Sequence, residues 1–342
     1  MSTPHRVLII GCGNIGGAFD ATRPADAPPL SHAGAFTRDG HFQLAACVDP
    51  DAVRRHEFMA RWGVPDGAAS VAELEAPAGH FDVISLCSPT ALHADHLRAA
   101  LALQPRLIFC EKPLTPSVAQ SEKLVAACRD AGVLLAVNHN RRWDRALQRL
   151  RDDLKSGRLG PLRSVVASYN KGVLNNGSHM VDLLHLLLGP LELQATGAAV
   201  HDFWPDDPSI PALLRTMDGV PVHLSTTHAG DYALFELTLN LADLSLTMED
   251  GGMAWRTRRR IASPHFASYQ VLDTGERTPG EYLHTMRRAV DNLHAALLDE
   301  APLASTGDTA LQAQRLCELI RHAARATTPA PLPALHPFAT TP

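Results

Sequence analysis

Five residues, Arg6-Val7-Leu8-Ile9-Ile10, run straight into Gly11-Cys12-Gly13-Asn14-Ile15-Gly16. A short continuous apolar run suits a strand buried on both faces. A glycine cluster directly after it fits the strand-to-helix turn of a dinucleotide-binding βαβ unit. Gly11 permits the tight turn, Gly13 lets the backbone approach a pyrophosphate, and Gly16 lets helix and strand pack closely. The turn Gly13-Asn14-Ile15-Gly16 then opens a helix whose free N–H groups and positive dipole end receive phosphates.

The same rhythm continues. FQLAACVD at 42–49, DVISLC at 82–87, RLIFC at 106–110 and VLLAV at 133–137 read as further strands. Helical patterns lie between them at 51–62, 92–103 and 116–131. This alternation predicts a doubly wound parallel sheet with helices on both faces. Strand 42–49 ends in Asp49, placed to accept hydrogen bonds from an adenosine ribose and to repel a 2′-phosphate, which favours NAD over NADP. Asp49 lies further from the glycines than usual. The excess length is Asp20–His32, with Pro24, Pro28 and Pro29, and reads as a loop inserted into the first crossover.

Ligands of open α/β sheets bind outside the carboxyl ends of the strands. Ser88-Pro89-Thr90 ends one strand and offers two hydroxyls, and His93 opens the next helix, either facing solvent or touching the cofactor. Glu111-Lys112-Pro113 ends another, and its lysine could hydrogen-bond a substrate hydroxyl. Further on, Gly177-Ser178 precedes a helix to about Leu188 closed by Gly189-Pro190, with His179 on its first turn. The positive end of that helix disfavours an imidazolium, so His179 is expected neutral and able to take a proton.

Gly11–Gly16, Ser88-Pro89-Thr90 with His93, Glu111-Lys112-Pro113 and Gly177-x-His179-x-x-Asp182 occur in that order. Together they resemble the glucose–fructose oxidoreductase/inositol dehydrogenase family, Gfo/Idh/MocA. The resemblance covers most of the chain. It implies a Rossmann domain over 1–138, then an α/β domain with a large, mostly antiparallel open sheet over 139–328 that binds substrate and forms a homodimer or homotetramer. It further implies hydride transfer between NAD and a secondary alcohol or ketone of a sugar, cyclitol or nucleotide-sugar. By resemblance Lys112 binds substrate and nicotinamide ribose, Glu111 belongs to the cofactor site, and His179 is the general acid/base. Many members carry an aspartate four residues before this histidine, where this chain has Asn175. A non-catalytic NAD-binding regulator and an NAD-assisted glycoside hydrolase, both known in the family, stay open.

The second half reads independently as mainly antiparallel. Strand-like runs at LQATGAAV, PALLRTM, VPVHLSTTH, YALFELTLN, LSLTMED and MAWRTRR are separated by turns such as Asp250-Gly251-Gly252. Residues 281–299 and 308–326 read as helices, and a proline-rich tail occupies 329–342. Asn138, His139 and Arg142 fall where the domains would meet, and Asn140 and Arg142 are substrate-site candidates. Tyr169 and Lys171 are either substrate-binding or ordinary strand-end residues.

Composition sets limits. A formal net charge of −5 argues against a nucleic-acid binder. The six cysteines include no CxxC pair and no metal-binding spacing, so no metal is expected, and buried reduced thiols fit a cytoplasmic protein. The run MVDLLHLLLG is too short, and too interrupted by Asp182 and His185, to span a membrane.

Overall fold

The computed structural model describes residues 3–24 and 26–326. The tail expected at 329–342 lies outside them.

The first unit is a six-stranded sheet of β1 (His5–Ile10), β2 (Phe42–Val48), β3 (Asp66–Ala68), β4 (Val83–Leu86), β5 (Leu107–Cys110) and β6 (Leu134–Val137). Every pair is parallel and the order is β3-β2-β1-β4-β5-β6. Strand order reverses between β1 and β4, which opens a crevice at their carboxyl ends. The strands are nearly all buried because α1 (His32–Thr37), α2 (Ala52–Trp62), α3 (His93–Ala102) and α4 (Val118–Asp130) cover the sheet.

The first crossover departs from expectation. No regular helix follows the glycines. Residues 13–19 make two turns, with Gly17 N–H bonded to the Gly13 carbonyl at 3.0 Å and Phe19 N–H to that of Asn14 at 3.0 Å. The helix then resumes only at α1, capped by the Ser31 side chain. His32 N–H bonds the Ile15 carbonyl at 3.0 Å and Ala33 N–H that of Gly16 at 2.9 Å, so the insertion loops out between two backbone ties. Its base is held by the buried Asp20 carboxylate, which accepts from Leu30 N–H, Ser31 N–H and the Ser31 hydroxyl.

The second unit begins with α5 (Arg145–Lys155), β7 (Leu162–Tyr169) and α6 (Gly177–Leu188). Then come β8 (Leu191–Thr196), β9 (Val200–Trp204), β10 (Asp207–Ser209), β11 (Ala212–Thr216), β12 (Pro221–Thr226), β13 (Phe235–Leu241), β14 (Leu244–Glu249), β15 (Ala254–Ala262), β16 (Gln270–Leu272) and β17 (Glu276–Pro279). Nine of these strands form one sheet in the order β16-β15-β14-β13-β7-β12-β11-β8, with β17 beside β15. All its pairs are antiparallel except β12 with β7. Alternation explains its two faces: Val165, Ala167, Leu237 and Leu239 point to the core under the helices, while Val166, 39% exposed, points out.

Two sequence expectations change here. LQATGAAV is not one strand: β8 ends at Thr196, just before Gly197, and Val200 starts a separate hairpin of β9 and β10. α7 (Thr285–Leu297) packs not on the second sheet but into the first unit's core, with Phe36, Phe42 and Phe109. α8 (Gly307–Ala326) lies across α4 and α6 and joins the two units.

Candidate active site

The glycine turn has the geometry of an anion cradle. Gly11, at φ +100°, passes so close to β4 that a Cβ would sit 2.6 Å from Ser88 N. A Cβ on Gly13 would meet nothing within 4 Å, so the space above it is open. Cys12 N–H donates to Asp49, but the N–H groups of Gly13, Asn14, Ile15 and Gly16 donate to no acceptor among the described residues. Four neighbouring unpaired amides fit a pyrophosphate, even without the regular helix that was expected.

Asp49 sits where the sequence put it, but its carboxylate is already engaged. It accepts from Cys12 N–H at 2.9 Å and Asp51 N–H at 3.0 Å, and pairs with the half-exposed Arg54 at 3.3 Å.

The strand-end residues divide between open and committed. Pro89 and Thr90 reach the surface above β4. The Ser88 hydroxyl is hydrogen-bonded to His96 Nδ1 at 2.8 Å. His93 is not available to a cofactor. Its ring is buried and bridges the Pro113 and Ser88 carbonyls at 2.9 and 2.8 Å, tying the two strand-end loops together. Glu111 also turns inward, to His32 Nε2 at 2.9 Å and Asn138 Nδ2 at 2.6 Å, so its carboxylate holds the loop rather than a ligand. Burial opposes charge on His32, but Cys87 and Glu111 outweigh it and push that imidazole's pKa up to about 10.

Beyond Glu111, the Lys112–Pro113 bond is cis. Lys112 Nζ crosses to the second unit and donates to the Asn175 side-chain oxygen at 2.8 Å and its backbone oxygen at 3.1 Å. Burial lowers the lysine's pKa, against the pull of Glu111 and Asp207. The amide at 175 is explained by its neighbours. Its oxygen faces the Lys112 ammonium while its Nδ2 donates to the Lys171 carbonyl at 3.2 Å. A carboxylate could serve the first partner but would confront the second with like partial charge. Asn175 is itself held by a π-helical turn, Gly172–Asn176, whose Leu174 and Asn175 amides donate to Asp207.

His179 stands on the first turn of α6, and its ring makes no protein hydrogen bond among the described residues. Its pKa is held well below 6.5 by burial, then by Lys112, His139 and Arg141. The His139 ring packs edge-on to it with centroids 5.4 Å apart. Lys112 and Asn175 therefore meet, with the neutral His179 imidazole within electrostatic reach of the ammonium.

Other candidates lie elsewhere. Tyr169 is fully buried, and its hydroxyl is bonded to both the N–H and the carbonyl of Ile210 at 2.9 Å. It is a core residue. Arg142 is buried against Asp182, with Nε 2.8 and 2.9 Å from the two oxygens, and braces α6 rather than facing substrate. Asn140 donates to the Tyr282 hydroxyl at 2.9 Å. Lys171 keeps its ammonium over the exposed Phe203 ring, 5.5 Å from the centroid. Sequence reading missed Arg141, Asp207 and Tyr282, which reach this region from the Asn140–Trp143 turn, the start of β10 and the turn before α7.

A surface groove of about 810 Å³ lies away from this site, between the ends of α5 and α6 and the β11–β12 turn. Among the described residues no helix is long and apolar enough to cross a membrane, and no cluster of His, Cys, Asp or Glu is placed to hold a metal ion.

Comparison with known proteins adds to this geometry. Residues 5–139 match the model of an oxidoreductase family with an NAD-binding Rossmann fold, GFO_IDH_MocA. The chain is 27% identical to an inositol 2-dehydrogenase of Mycolicibacterium gilvum over 83% of its own length and 77% of the relative's. Other curated relatives are matched over 23%, 39%, 66% and 34% of their lengths, so the chain spans less than two thirds of each. A 3-ketoreductase from Actinomadura kijaniata, solved with TDP-benzene and NADP, shares the fold at TM-score 0.72 and 22% identity over 94% of this chain and 98% of that one. The WlbA dehydrogenase of Bordetella pertussis, solved with NADH and UDP-GlcNAcA, does so at 0.73 and 19%, over 97% and 100%.

Proposed function

The chain belongs to the Gfo/Idh/MocA oxidoreductase family, and from that premise we propose that it is an NAD-dependent dehydrogenase or reductase of a sugar-like secondary alcohol or ketone. The observation that carries the reading is Lys112, bonded to Asn175 and acting electrostatically on a neutral His179, at the carboxyl edge of a sheet whose glycine turn offers four free amides.

Nicotinamide, when bound, accepts or donates the hydride. The protein's part is the proton and the positioning. Lys112, fixed by two bonds to Asn175, has one N–H left to polarise the reacting oxygen. The His179 imidazole takes the hydroxyl proton during oxidation and returns it during reduction. Substrates in this reading are sugars, cyclitols or nucleotide-sugars. Asp49 favours NAD, while Arg54 beside it softens the repulsion of a 2′-phosphate, so NADP is accepted more weakly. The open face of the nine-stranded sheet joins copies into a homodimer or homotetramer, and the six buried free thiols suit a cytoplasmic setting.

The test is NADH absorbance with NAD and then NADP over a panel of sugars, cyclitols, sugar phosphates and nucleotide-sugars. A steady rise lost in His179→Ala and Lys112→Ala supports the reading. NAD binding without turnover in either direction would instead indicate a regulator, and cleaved sugar with NAD unchanged a hydrolase.

A further inference from the structure

Two adjacent arginines, Arg141 and Arg142, are buried at 6% and 7% exposure, yet only one has a counter-ion. Arg142 owns Asp182. Arg141 has no carboxylate within ion-pairing distance among the described residues. One of its terminal nitrogens donates to the Gly251 carbonyl at 2.8 Å, and its enclosed Nε has no partner. The guanidinium lies 3.8 Å from the Phe235 ring centroid and 4.8 Å from that of Tyr282. Those faces replace only part of the hydration that burial removes.

The residues before it share the condition. His139 Nδ1 and Asn140 Oδ1 are also buried without partners. With Asn138 Oδ1, four consecutive residues thus hold an unpartnered buried polar atom, and the His139 ring packs against His179. Arg141 is close enough to lower the pKa values of Lys112, His139 and His179. The acids that act on its charge are committed elsewhere. Asp144 caps α5 through the Ala146 and Leu147 amides, and Asp182 serves Arg142. At position 175 itself the side chain is an uncharged amide.

We propose that the missing counter-ion is carried by the substrate, and that Arg141 is a specificity-determining residue selecting a sugar with an anionic group, a carboxylate or a phosphate. The inference rests on the oxidoreductase reading and narrows its substrate class. A planar guanidinium clamped between two rings is preorganised to bind such an oxyanion.

The experiment measures binding to the full-length protein saturated with NADH, by the change in bound-NADH fluorescence. Glucose, glucuronate and glucose 6-phosphate are the probes. At least one anion is expected to bind ten-fold or more tightly than glucose, and which one does so identifies carboxylate or phosphate. Arg141→Met is expected to erase that ratio and Arg141→Lys to keep part of it. Equal binding of all three to the wild type overturns the proposal, whether or not the variants fold. So does a ratio that survives Arg141→Met, which would make the arginine a strut between Phe235 and Tyr282. Selective anion binding with no redox turnover would remove the proposed function and leave this inference standing. Turnover of neutral sugars with no anion selectivity would do the reverse.

Discussion

Replacing Arg142 with methionine keeps much of the side chain's bulk and deletes the cation on Asp182. The buried carboxyl has a pKa of about 6: burial pushes it up, and Arg142 holds it from rising further. At pH 7 its ionised form is therefore favoured over the protonated one by about 1.4 kcal/mol, one pKa unit's worth. Without Arg142 the carboxyl stays protonated at pH 7 and that share is lost. The two hydrogen bonds to Asp182 go as well, for a total of about 3–5 kcal/mol. At pH 5 both proteins hold the group protonated, so the difference between them shrinks by about 1.4 kcal/mol. The direction follows from a folded pKa raised above the ordinary 3.8. Such a group weakens the fold at neutral pH and weakens it less as pH falls through 6, more steeply in the variant than in the wild type. Urea unfolding followed by tryptophan fluorescence at pH 7 and pH 5 measures both differences. Equal losses at the two pH values would refute the electrostatic argument. Unchanged stability with a raised substrate KM would return Arg142 to the substrate site.

Other perturbations separate cradle, core and proton handling. Gly13→Ala places a methyl in open space, so its melting temperature should match wild type while dinucleotide affinity falls about ten-fold or more. Gly11→Ala, strained at φ +100° and driven into Ser88, should lose more than about 2 kcal/mol of stability; a normal melt would contradict the close approach. Tyr169→Phe strands the Ile210 backbone and should cost about 1–3 kcal/mol with no change in substrate KM. Because burial and then Lys112 keep His179 well below 6.5, kcat/KM for oxidation should fall only as pH drops through that depressed value. An acid limb centred at 6.5 would show the imidazole to be unperturbed.

The first sheet was legible because strands buried on both faces are unbroken apolar runs, as in RVLII and RLIFC. The excess length before Asp49 was equally plain. Its splice was not, since the two backbone ties from His32 and Ala33 join residues far apart in sequence. The break after Thr196 was hidden in a run that looked continuous, because a glycine inside an apolar run marks a strand end and a bulge alike. Strand ends put Lys112 at the crevice, and the helix start placed His179. Choosing between Arg141 and Arg142 needed more, because the single turn Asn140–Trp143 sends neighbours in different directions. Tyr169 could have been read correctly: it shares strand parity with Val165 and Ala167, and that side faces the core.

α7 makes the two units interleaved rather than consecutive. The chain leaves the first unit near Asn138 and returns to it at Thr285. A chimaera built with one junction would strip the cap from Phe36, Phe42 and Phe109 and present an aromatic surface to solvent. Exchange of the second unit therefore needs a junction on each crossing, and α8, which returns the chain to that unit's core, must be matched to it. Any widening of the crevice must flex both crossings and shift α8, so the cleft behaves less like a door on one hinge than like a lid held at several points.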